Sequence, residues 1–263
     1  MSPAFRPLNK APWYGAFFVL ALWLSGAAAS ECAPPPNTER VQVRYVHDGD
    51  TLTLRDNRKI RLIGVNTPEV ADRDRPAEKL ALRARERLRQ WLFTQGNQAR
   101  LLYGREKRDH YGRLLAHLWL PDGSNLTAKL LREGLGWAIV IPPNTRFLDC
   151  HLEAEQSARQ ASRGVWGLAE YAPAESRRLK LRDTGFRLVR GRVVRVNHGA
   201  HATWINLEGR FAIRIPDDDL HWFRQRPGTR WLGKRVEVRG WLNPIKGELR
   251  VTVHHPAMIR LLD

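Results

Sequence analysis

The sequence predicts an α+β protein with two small β-rich domains, of which the first also carries three helices. Two patterns predict this class. Residues 41–167 combine short runs of period two, typical of strands, with three longer runs of helical periodicity. Residues 186–263 return to a mostly strand-like pattern. Because 43% of the 263 residues are hydrophobic, the chain has enough apolar surface for a folded core, which excludes wholesale disorder.

Residues 41–167 are predicted to form five strands and three helices in the order βββαββαα. Turn formers such as Asp48-Gly49-Asp50 separate the strands, while Pro76 and Asn125 mark helix starts and Gly134 marks a helix end. Short strands with helices between and after them suggest a five-stranded barrel of oligonucleotide/oligosaccharide-binding (OB) type. The predicted strands are 41–45, 51–54, 59–65, 99–103 and 113–120, and the predicted helices are 76–96, about 125–134 and about 145–163.

Residues 186–263 are predicted to form a second small, mostly β barrel of OB-like type. A linker is expected at residues 168–185, where Pro and Ala are followed by a basic run. Residues 30–40, which include Pro34-Pro35-Pro36, are expected to form an extended segment ahead of the first barrel. The predicted strands of the second barrel are 188–196, 202–207, 211–215, 234–242 and 249–253.

The charge balance points to a polyanionic partner. The chain has 44 Lys and Arg against 27 Asp and Glu, a net charge of +17, together with ten Trp. Such an excess of cations binds nucleic acid, and aromatic rings stack on unpaired bases, so DNA and RNA are the expected partners, preferably single-stranded. Generic basicity and affinity for an anionic membrane surface are the alternatives.

The N-terminus has the pattern of a secretory signal. Arg6 and Lys10 precede a largely apolar run from Trp13 to Leu24, and small residues follow it. We expect residues 1–29 to be a signal peptide cleaved after Ala29, with cleavage after Ser30 as the close alternative. This predicts export to the periplasm or the extracellular space. An uncleaved signal that anchors the protein in the membrane is the other alternative.

The two cysteines, Cys32 and Cys150, are predicted to form a disulfide. An exported protein meets an oxidising compartment, where an even cysteine count favours pairing. Such a bond would attach the mature N-terminus to the first domain. Two free thiols remain the alternative. Glu31 argues against lipid attachment at Cys32, since lipoprotein signals have a small residue at that position.

Oxygen-bearing residues at two predicted turns suggest a site for a hard cation. Asp50 ends a tight turn, and Asn66 and Thr67 follow the third predicted strand, held by Pro68. Carboxylate, amide and backbone carbonyl oxygens are the ligands that Ca²⁺ prefers. Asp50, the Asn66 amide oxygen and the Thr67 carbonyl are therefore the candidate metal ligands, with ordinary turn formation as the alternative.

Three further residues supply what phosphodiester cleavage requires. Glu69, fixed behind Pro68, can orient a water molecule or accept its proton. Arg61 and Arg113 offer two guanidinium groups, which match phosphate oxygens and the extra charge of a pentacoordinate transition state. Each arginine is otherwise one of many surface cations in a basic protein.

The order and spacing of three motifs resemble the staphylococcal nuclease-like (thermonuclease) family. These are Asp48-Gly49-Asp50-Thr51, then Arg61 to Glu69 with Thr67-Pro68, then Asp109 to Arg113, and the likeness covers about residues 41–167. The resemblance implies an OB barrel with three helices and Ca²⁺-dependent hydrolysis of DNA and RNA that leaves 3′-phosphate ends. It implies Asp50 as a metal ligand, Glu69 as the water-orienting base, and Arg61 and Arg113 as phosphate clamps, with no small-molecule cofactor.

The sequence departs from this family at two places. Asn66 stands where the family has its second metal carboxylate, so we expect weaker or less selective metal binding. Where relatives carry tyrosines that pack on the nucleotide, this chain has Trp137-Ala138-Ile139-Val140-Ile141. Tyr111 and Trp137 are the candidate nucleic-acid-binding aromatics, with burial in a core as the alternative for Trp137.

Aromatic residues such as Trp204 and Trp241 alternate with arginines in the second domain, which suits either a single-strand platform or a filled barrel core. The sequence therefore predicts an exported, monomeric, two-domain nuclease whose second domain extends nucleic-acid contact. The alternative is a non-catalytic nucleic-acid-binding protein on the same fold; the presence of Glu69 argues against it, because pure binding has no need of a water-orienting carboxylate.

Overall fold

The computed structural model describes Met1, residues 32–72 and residues 75–262. The predicted signal peptide, except for Met1, lies outside the described residues, and so do Ser30 and Glu31. Within the part of the chain that is described, no helix has the length and apolar character needed to cross a membrane.

The first domain contains a closed five-stranded barrel with the strand order β1-β2-β3-β6-β5. The pairing of β3 with β6 is parallel and the other pairings are antiparallel, while β4 and β7 form a separate two-stranded sheet. Leu52, Ile60 and Leu118 are fully buried inside the barrel. The elements are β1 (Glu39–Val46), β2 (Thr51–Leu54), β3 (Lys59–Leu62), β4 (Val65–Asn66), α1 (Ala81–Phe93), β5 (Gln98–Arg108), β6 (Leu114–Trp119), α2 (Leu126–Arg132), β7 (Trp137–Ala138) and α3 (Leu148–Gln160).

Two of the three helices, α1 and α3, begin later in the chain than the sequence predicts. Helix α1 begins at Ala81 rather than at Pro76, because Glu78 exchanges hydrogen bonds with the backbone of Glu69, and Leu80 adopts a left-handed φ of 66°. Helix α3 begins after Phe147, which has a left-handed φ of 64°. The predicted cap of α2 is present, since the Asn125 side chain accepts a hydrogen bond from the Ala128 amide at 2.9 Å.

A disulfide between Cys32 and Cys150 joins the start of the described chain to α3, with 5.7 Å between the two Cα atoms. The Trp119 indole N–H also donates to the Cys32 carbonyl at 2.5 Å. The segment ahead of β1 is therefore attached to the first domain twice, by a covalent bond to α3 and by a hydrogen bond to β6 of the barrel.

The second domain contains another closed barrel, with the strand order β9-β10-β11-β13-β12 and closure by pairing of β12 with β9. The pairing of β11 with β13 is parallel, and β8 and β14 extend the sheet beyond the ring. The two barrels confirm the predicted fold class. The strands are β8 (Ala174–Glu175), β9 (Gly185–His198), β10 (Ala202–Leu207), β11 (Phe211–Pro216), β12 (Arg235–Ile245), β13 (Glu248–Thr252) and β14 (Ile259–Leu261).

Two charge pairs, in one of which both partners are buried, join helix α3 of the first domain to strand β12 of the second. The Arg239 guanidinium on β12 contacts both carboxylate oxygens of Glu155 on α3, at 2.6 and 2.7 Å. Arg159 on α3 makes a bidentate pair with Glu237 on β12, both contacts at 2.7 Å. Residues 168–185, the predicted linker, contain β8, which pairs with β9. Strand β12 is therefore held firmly against the first domain.

Candidate active site

The turn between β1 and β2 fixes the position of Asp50. The Asp48 side chain accepts hydrogen bonds from the amides of Asp50 at 2.9 Å and Thr51 at 2.6 Å, an arrangement that stabilises a tight turn. Glycine is needed at position 49, because a Cβ there would lie 2.7 Å from Thr67 Cγ2 and from Ala84 Cβ. The Asp50 side chain is therefore directed into the protein, where it is buried.

The loop after β4 closes on the same carboxylate. The Thr67 amide and hydroxyl both donate to Asp50 Oδ2, at 2.8 and 3.0 Å, and the Thr51 hydroxyl donates to Oδ1 at 3.1 Å. These bonds join two turns that are 17 residues apart in the chain. Asp50 is thus held in one orientation before any ligand binds.

Arg61, on β3, is fixed by acceptors on the adjoining loop. Its Nη1 donates to the carbonyls of Leu62 at 2.9 Å and Val65 at 2.8 Å, and lies 3.2 Å from Asp50 Oδ2. Its Nη2 donates to the Asn66 amide oxygen at 3.3 Å. A guanidinium has five N–H donors, so these contacts hold its plane and leave donors for a further anion.

Arg113 comes from the loop between β5 and β6. The Asp109 carboxylate accepts from the Arg113 backbone amide at 2.9 Å and from Arg113 Nε at 2.7 Å. Partial burial opposes ionisation of Asp109, but the bonds from Arg113 outweigh it and lower the pKa of the Asp109 carboxyl. The guanidinium also lies 5.4 Å from the centre of the Tyr111 ring. Its Nη1 is 3.4 Å from the Thr51 hydroxyl, which places this arginine next to the Asp50 turn.

Glu69 lies at the opening of the site. The residue is exposed overall, and its amide donates to Glu78 Oε2 at 2.9 Å, so the loop that carries it is anchored. Desolvation by the cavity wall, followed by the negative charge of Asp50, raises the pKa of the Glu69 carboxyl, and Arg61 opposes the shift. The same two causes raise the pKa of Asp48 to about 7. The site therefore concentrates negative charge that a bound cation would offset.

A cavity of about 810 Å³ brings most of the predicted site residues together. Thr67 and Trp137 are not among the residues that line it, and both are buried; Trp137 is 3% exposed and packs between the two barrels. The structure does not support a stacking role for Trp137, because a buried ring offers no face to a nucleotide. The lining includes Asp50, Arg61, Asn66, Glu69, Tyr111 and Arg113 from the first domain and Trp241 and Asn243 from the second.

Trp241 and Asn243 bring the second domain into this cavity; the sequence pointed to Trp241 only as one of several aromatic residues and did not point to Asn243. Both lie on β12, and the same cavity is lined by Ile139 and Ile141 of the first domain. Alternation along β12 places Arg239, Trp241 and Asn243 on one face of the strand. The sequence does not show which residues of the first domain this face contacts, because that depends on how the two barrels pack.

The donors around Asp50 suit a hard divalent cation. The candidate ligands are a carboxylate, an amide oxygen and a backbone carbonyl, with Asp48 and Glu69 nearby, and oxygen is what Ca²⁺ prefers. The Asn66 amide oxygen has a second lone pair beyond the one that accepts from Arg61. Among the described residues, no three His, Cys, Asp or Glu side chains cluster as a metal-binding group. Any cation here relies on amide, backbone or water oxygens as well as on carboxylates.

Comparison with known proteins agrees with the motifs. The family model described as staphylococcal nuclease homologue matches residues 59–167. A thermonuclease of Staphylococcus intermedius is 34% identical over 131 residues, 49% of this chain and 76% of the relative. A thermonuclease of Staphylococcus hyicus is 31% identical over 145 residues, 54% of this chain and 84% of the relative.

A further relative, endonuclease YncB of Bacillus subtilis, is 32% identical over 128 residues, 47% of this chain and 60% of the relative. The matched segment contains the second and third motifs, with Arg61, Glu69 and Arg113, and ends before the second barrel. From these matches and the barrel topology we conclude that the chain belongs to the staphylococcal nuclease family and is a nuclease.

Proposed function

We propose that this protein is an exported, Ca²⁺-dependent nuclease that hydrolyses phosphodiester bonds of DNA and RNA and leaves 3′-phosphate ends. The observation that carries the proposal is the Asp50 carboxylate, which is held in one orientation by hydrogen bonds from the neighbouring loop. It lines the same cavity as Arg61, Glu69 and Arg113. Asp50, Asn66 and the Thr67 carbonyl would hold the cation, which supplies neutralisation of phosphate charge when bound.

Glu69 is assigned to the attacking water. Its carboxylate can orient the water and accept its proton as the oxygen adds to phosphorus. The bond between phosphorus and the 5′ oxygen then breaks, the 5′ oxygen takes up a proton from solvent, and the phosphate remains on the 3′ oxygen. The anchoring of the Glu69 amide to Glu78 limits the movement of this carboxylate at the cavity opening.

Arg61 and Arg113 are assigned to the non-bridging phosphate oxygens. Arg61 is already fixed by three backbone and side-chain acceptors and Arg113 by Asp109, so little reorganisation is needed when a phosphate enters. Donors fixed in advance stabilise the charge that grows in the transition state more than that of the ground state.

The substrate and the location are inferred from other features. The net charge of +17 favours polyanions, and an open cavity with aromatic walls suits a flexible single strand better than a rigid duplex. The signal pattern at residues 1–29 and the disulfide between Cys32 and Cys150 both support an exported protein. Sequencing the N-terminus of protein recovered from the periplasm or medium tests cleavage after Ala29, and recovery only in membranes would contradict it.

A cleavage assay tests the enzymatic proposal. Protein starting at residue 30 is incubated with end-labelled single-stranded DNA or RNA, in Ca²⁺ or in chelator, beside Glu69→Gln. Glu153→Gln is the matched control, since Glu153 is an exposed carboxylate on α3, away from the cavity. We expect cleavage by the wild type and the control in Ca²⁺ alone, with fragments that phosphatase converts to 3′-hydroxyl ends.

Two results would count against this function. Binding without cleavage under every condition would favour the non-catalytic nucleic-acid-binding protein. Equal cleavage by Glu69→Gln and the wild type would show that Glu69 does not act on the attacking water, although the protein would still be a nuclease.

A further inference from the structure

We propose that Trp241, with Asn243, forms a nucleobase-binding subsite that the second barrel contributes to the active-site cavity. The inference rests on the proposed function, because the base it binds belongs to the strand whose phosphate contacts Arg61 and Arg113. The Trp241 side chain lines the same cavity as these two arginines, although it comes from the other domain.

The position of Trp241 follows from the alternation of β12. Val238 and Leu242 are buried in the core of the second barrel, and Arg239, Trp241 and Asn243 lie on the opposite face of the strand. Arg239 is bound to Glu155 of the first domain, only two residues before Trp241. This buried pair fixes the distance between the tryptophan and the first barrel.

The Trp241 ring is supported from one side and open on another. It packs edge-on against Phe186, its direct cross-strand neighbour on β9, with 5.1 Å between ring centres. Phe186 in turn packs against Trp137 at 5.3 Å, and Trp137 against Tyr171 at 5.0 Å. The Trp241 side chain is nevertheless 42% exposed, whereas Trp137 is 3% exposed. A ring held by its neighbours while it keeps an accessible surface is suited to stacking, since little entropy is lost when a base binds.

The composition of the cavity wall indicates which part of the substrate binds here. Among the described residues that line the cavity, Arg61 and Arg113 are the only Arg or Lys side chains. Two guanidinium groups serve one phosphodiester. The apolar part of the lining includes Ile139 and the half-exposed Ile141, and the acidic part is made by Asp48, Asp50, Glu69, Glu106 and Asp109. Trp241 and these two isoleucines offer aromatic and apolar surface in the same cavity as the two arginines, which fits the flat, uncharged ring of a base.

Asn243 adds a polar contact at the edge of this wall. Its amide nitrogen donates to the Trp241 carbonyl at 3.3 Å, which orients the side chain. An amide carries both a donor and an acceptor and can therefore meet the edge of any base. Stacking is tolerant of base identity, so the subsite predicts affinity for single strands with little sequence preference.

A binding cycle tests the subsite without turnover. Dissociation constants are measured in chelator for a single-stranded oligonucleotide and for the same strand with abasic sugars, using the wild type and Trp241→Ala. We expect Trp241→Ala to bind the natural strand about tenfold more weakly. We expect the abasic strand to bind the wild type and Trp241→Ala equally.

Two further variants keep the cycle interpretable. Trp241→Phe retains an aromatic ring against Phe186 and should stay close to wild-type affinity. Trp204→Ala removes a tryptophan of the second barrel that packs over Arg250 and does not line the cavity, and it should leave the affinity unchanged. Thermal denaturation of each variant shows whether the fold is retained.

The outcomes separate the subsite from the proposed function. Equal affinity of Trp241→Ala and the wild type for the natural strand would overturn the subsite. A loss that is the same for natural and abasic strands, or one that Trp204→Ala reproduces, would also overturn it. A wild type that cleaves nothing in Ca²⁺ would refute the proposed nuclease activity, while the binding cycle would still decide on Trp241.

Discussion

The two barrels share one connectivity and differ in what their loops carry. In both, the strands are ordered first, second, third, fifth, fourth, with a parallel pairing between the third and the fifth. The first barrel has Asp48-Gly49-Asp50 between its first two strands, and the second has Gly199-Ala200-His201 at the same place. The first inserts helix α1 before its fourth strand, and the second has only short 3₁₀ turns there.

This difference shows that the fold alone does not specify the chemistry. An OB-type barrel supplies adjoining loops, and the side chains on those loops decide whether a cation and a phosphate can be bound. Only the first barrel joins a turn carboxylate to the loop after its third strand, through the bonds between Asp50 and Thr67. The second barrel contributes instead one outward strand face, which lies against the site of the first.

The largest predicted effect is on stability, through the charge pair that joins the two domains. Arg239→Ala leaves Glu155 buried without its cation, and loss of one partner of a buried pair typically costs about 3–5 kcal/mol. Arg250→Ala is the matched control, because Arg250 pairs with Glu248 within the second barrel at a more exposed position and should cost about 1 kcal/mol or less. Chemical denaturation measures both.

Equal losses in Arg239→Ala and Arg250→Ala would mean that the pair between the domains has no special weight. A separate early transition for one barrel in Arg239→Ala would instead show that this pair is what makes the two barrels unfold together.

The next effect tests the phosphate clamps that set the first barrel apart from the second. Arg113→Ala should lower the cleavage rate about 100-fold or more, roughly 2.7 kcal/mol of transition-state stabilisation, because it removes one of two phosphate clamps. Arg83→Ala, at an exposed position on α1, removes the same charge from the same domain and should change the rate little. If both variants slow cleavage equally, general electrostatic attraction explains the role of Arg113.

A third prediction concerns acid sensitivity, which we assign to the first barrel. Burial lowers the pKa of His117 to about 3 and of His151 to about 4, and the neighbouring His151 and then Arg146 add to the shift at His117. Both rings are neutral in the folded state and become protonated on unfolding below pH 6.5. Stability is therefore greatest above that pH and falls as pH decreases toward 4, by up to about 1.4 kcal/mol per pH unit for each histidine.

The variant His117→Asn should take up about one proton fewer on unfolding, so its free energy of unfolding should fall less steeply with decreasing pH. Denaturation between pH 7 and pH 4.5 measures this slope. His221→Asn in the second barrel is the control, since that side chain is exposed and remains solvated on unfolding. An unchanged slope in His117→Asn would show that His117 does not contribute to acid sensitivity.

Local rules predicted much of the first barrel and most of its site. The turn at Asp48-Gly49-Asp50 and the Asn125 cap depend on residues only two or three positions apart, and the structure has both. Asp50, Asn66 and Glu69 lie on one cavity because neighbouring strands end at the same edge of the barrel. Spacing along the sequence is sufficient to predict such features.

Contacts between distant segments account for what was missed. The start of α1 is set by the contact of Glu78 with Glu69, and Trp137 is buried because a second barrel covers it. With ten tryptophans in the chain, nothing local distinguishes Trp241 as a cavity residue. The pairing of Arg239 with Glu155, which is 84 residues away in the chain, is what places β12 beside the cavity.

The most direct test of the central claim is the cleavage rate as a function of Ca²⁺ concentration, for the wild type and for Asn66→Asp. The account predicts saturable activation of both, no cleavage in chelator, and a half-saturating concentration about tenfold lower for Asn66→Asp, because a carboxylate replaces an amide ligand. Cleavage that continues unchanged in chelator, or a half-saturating concentration that Asn66→Asp leaves unaltered, would contradict a cation held by Asp50 and Asn66.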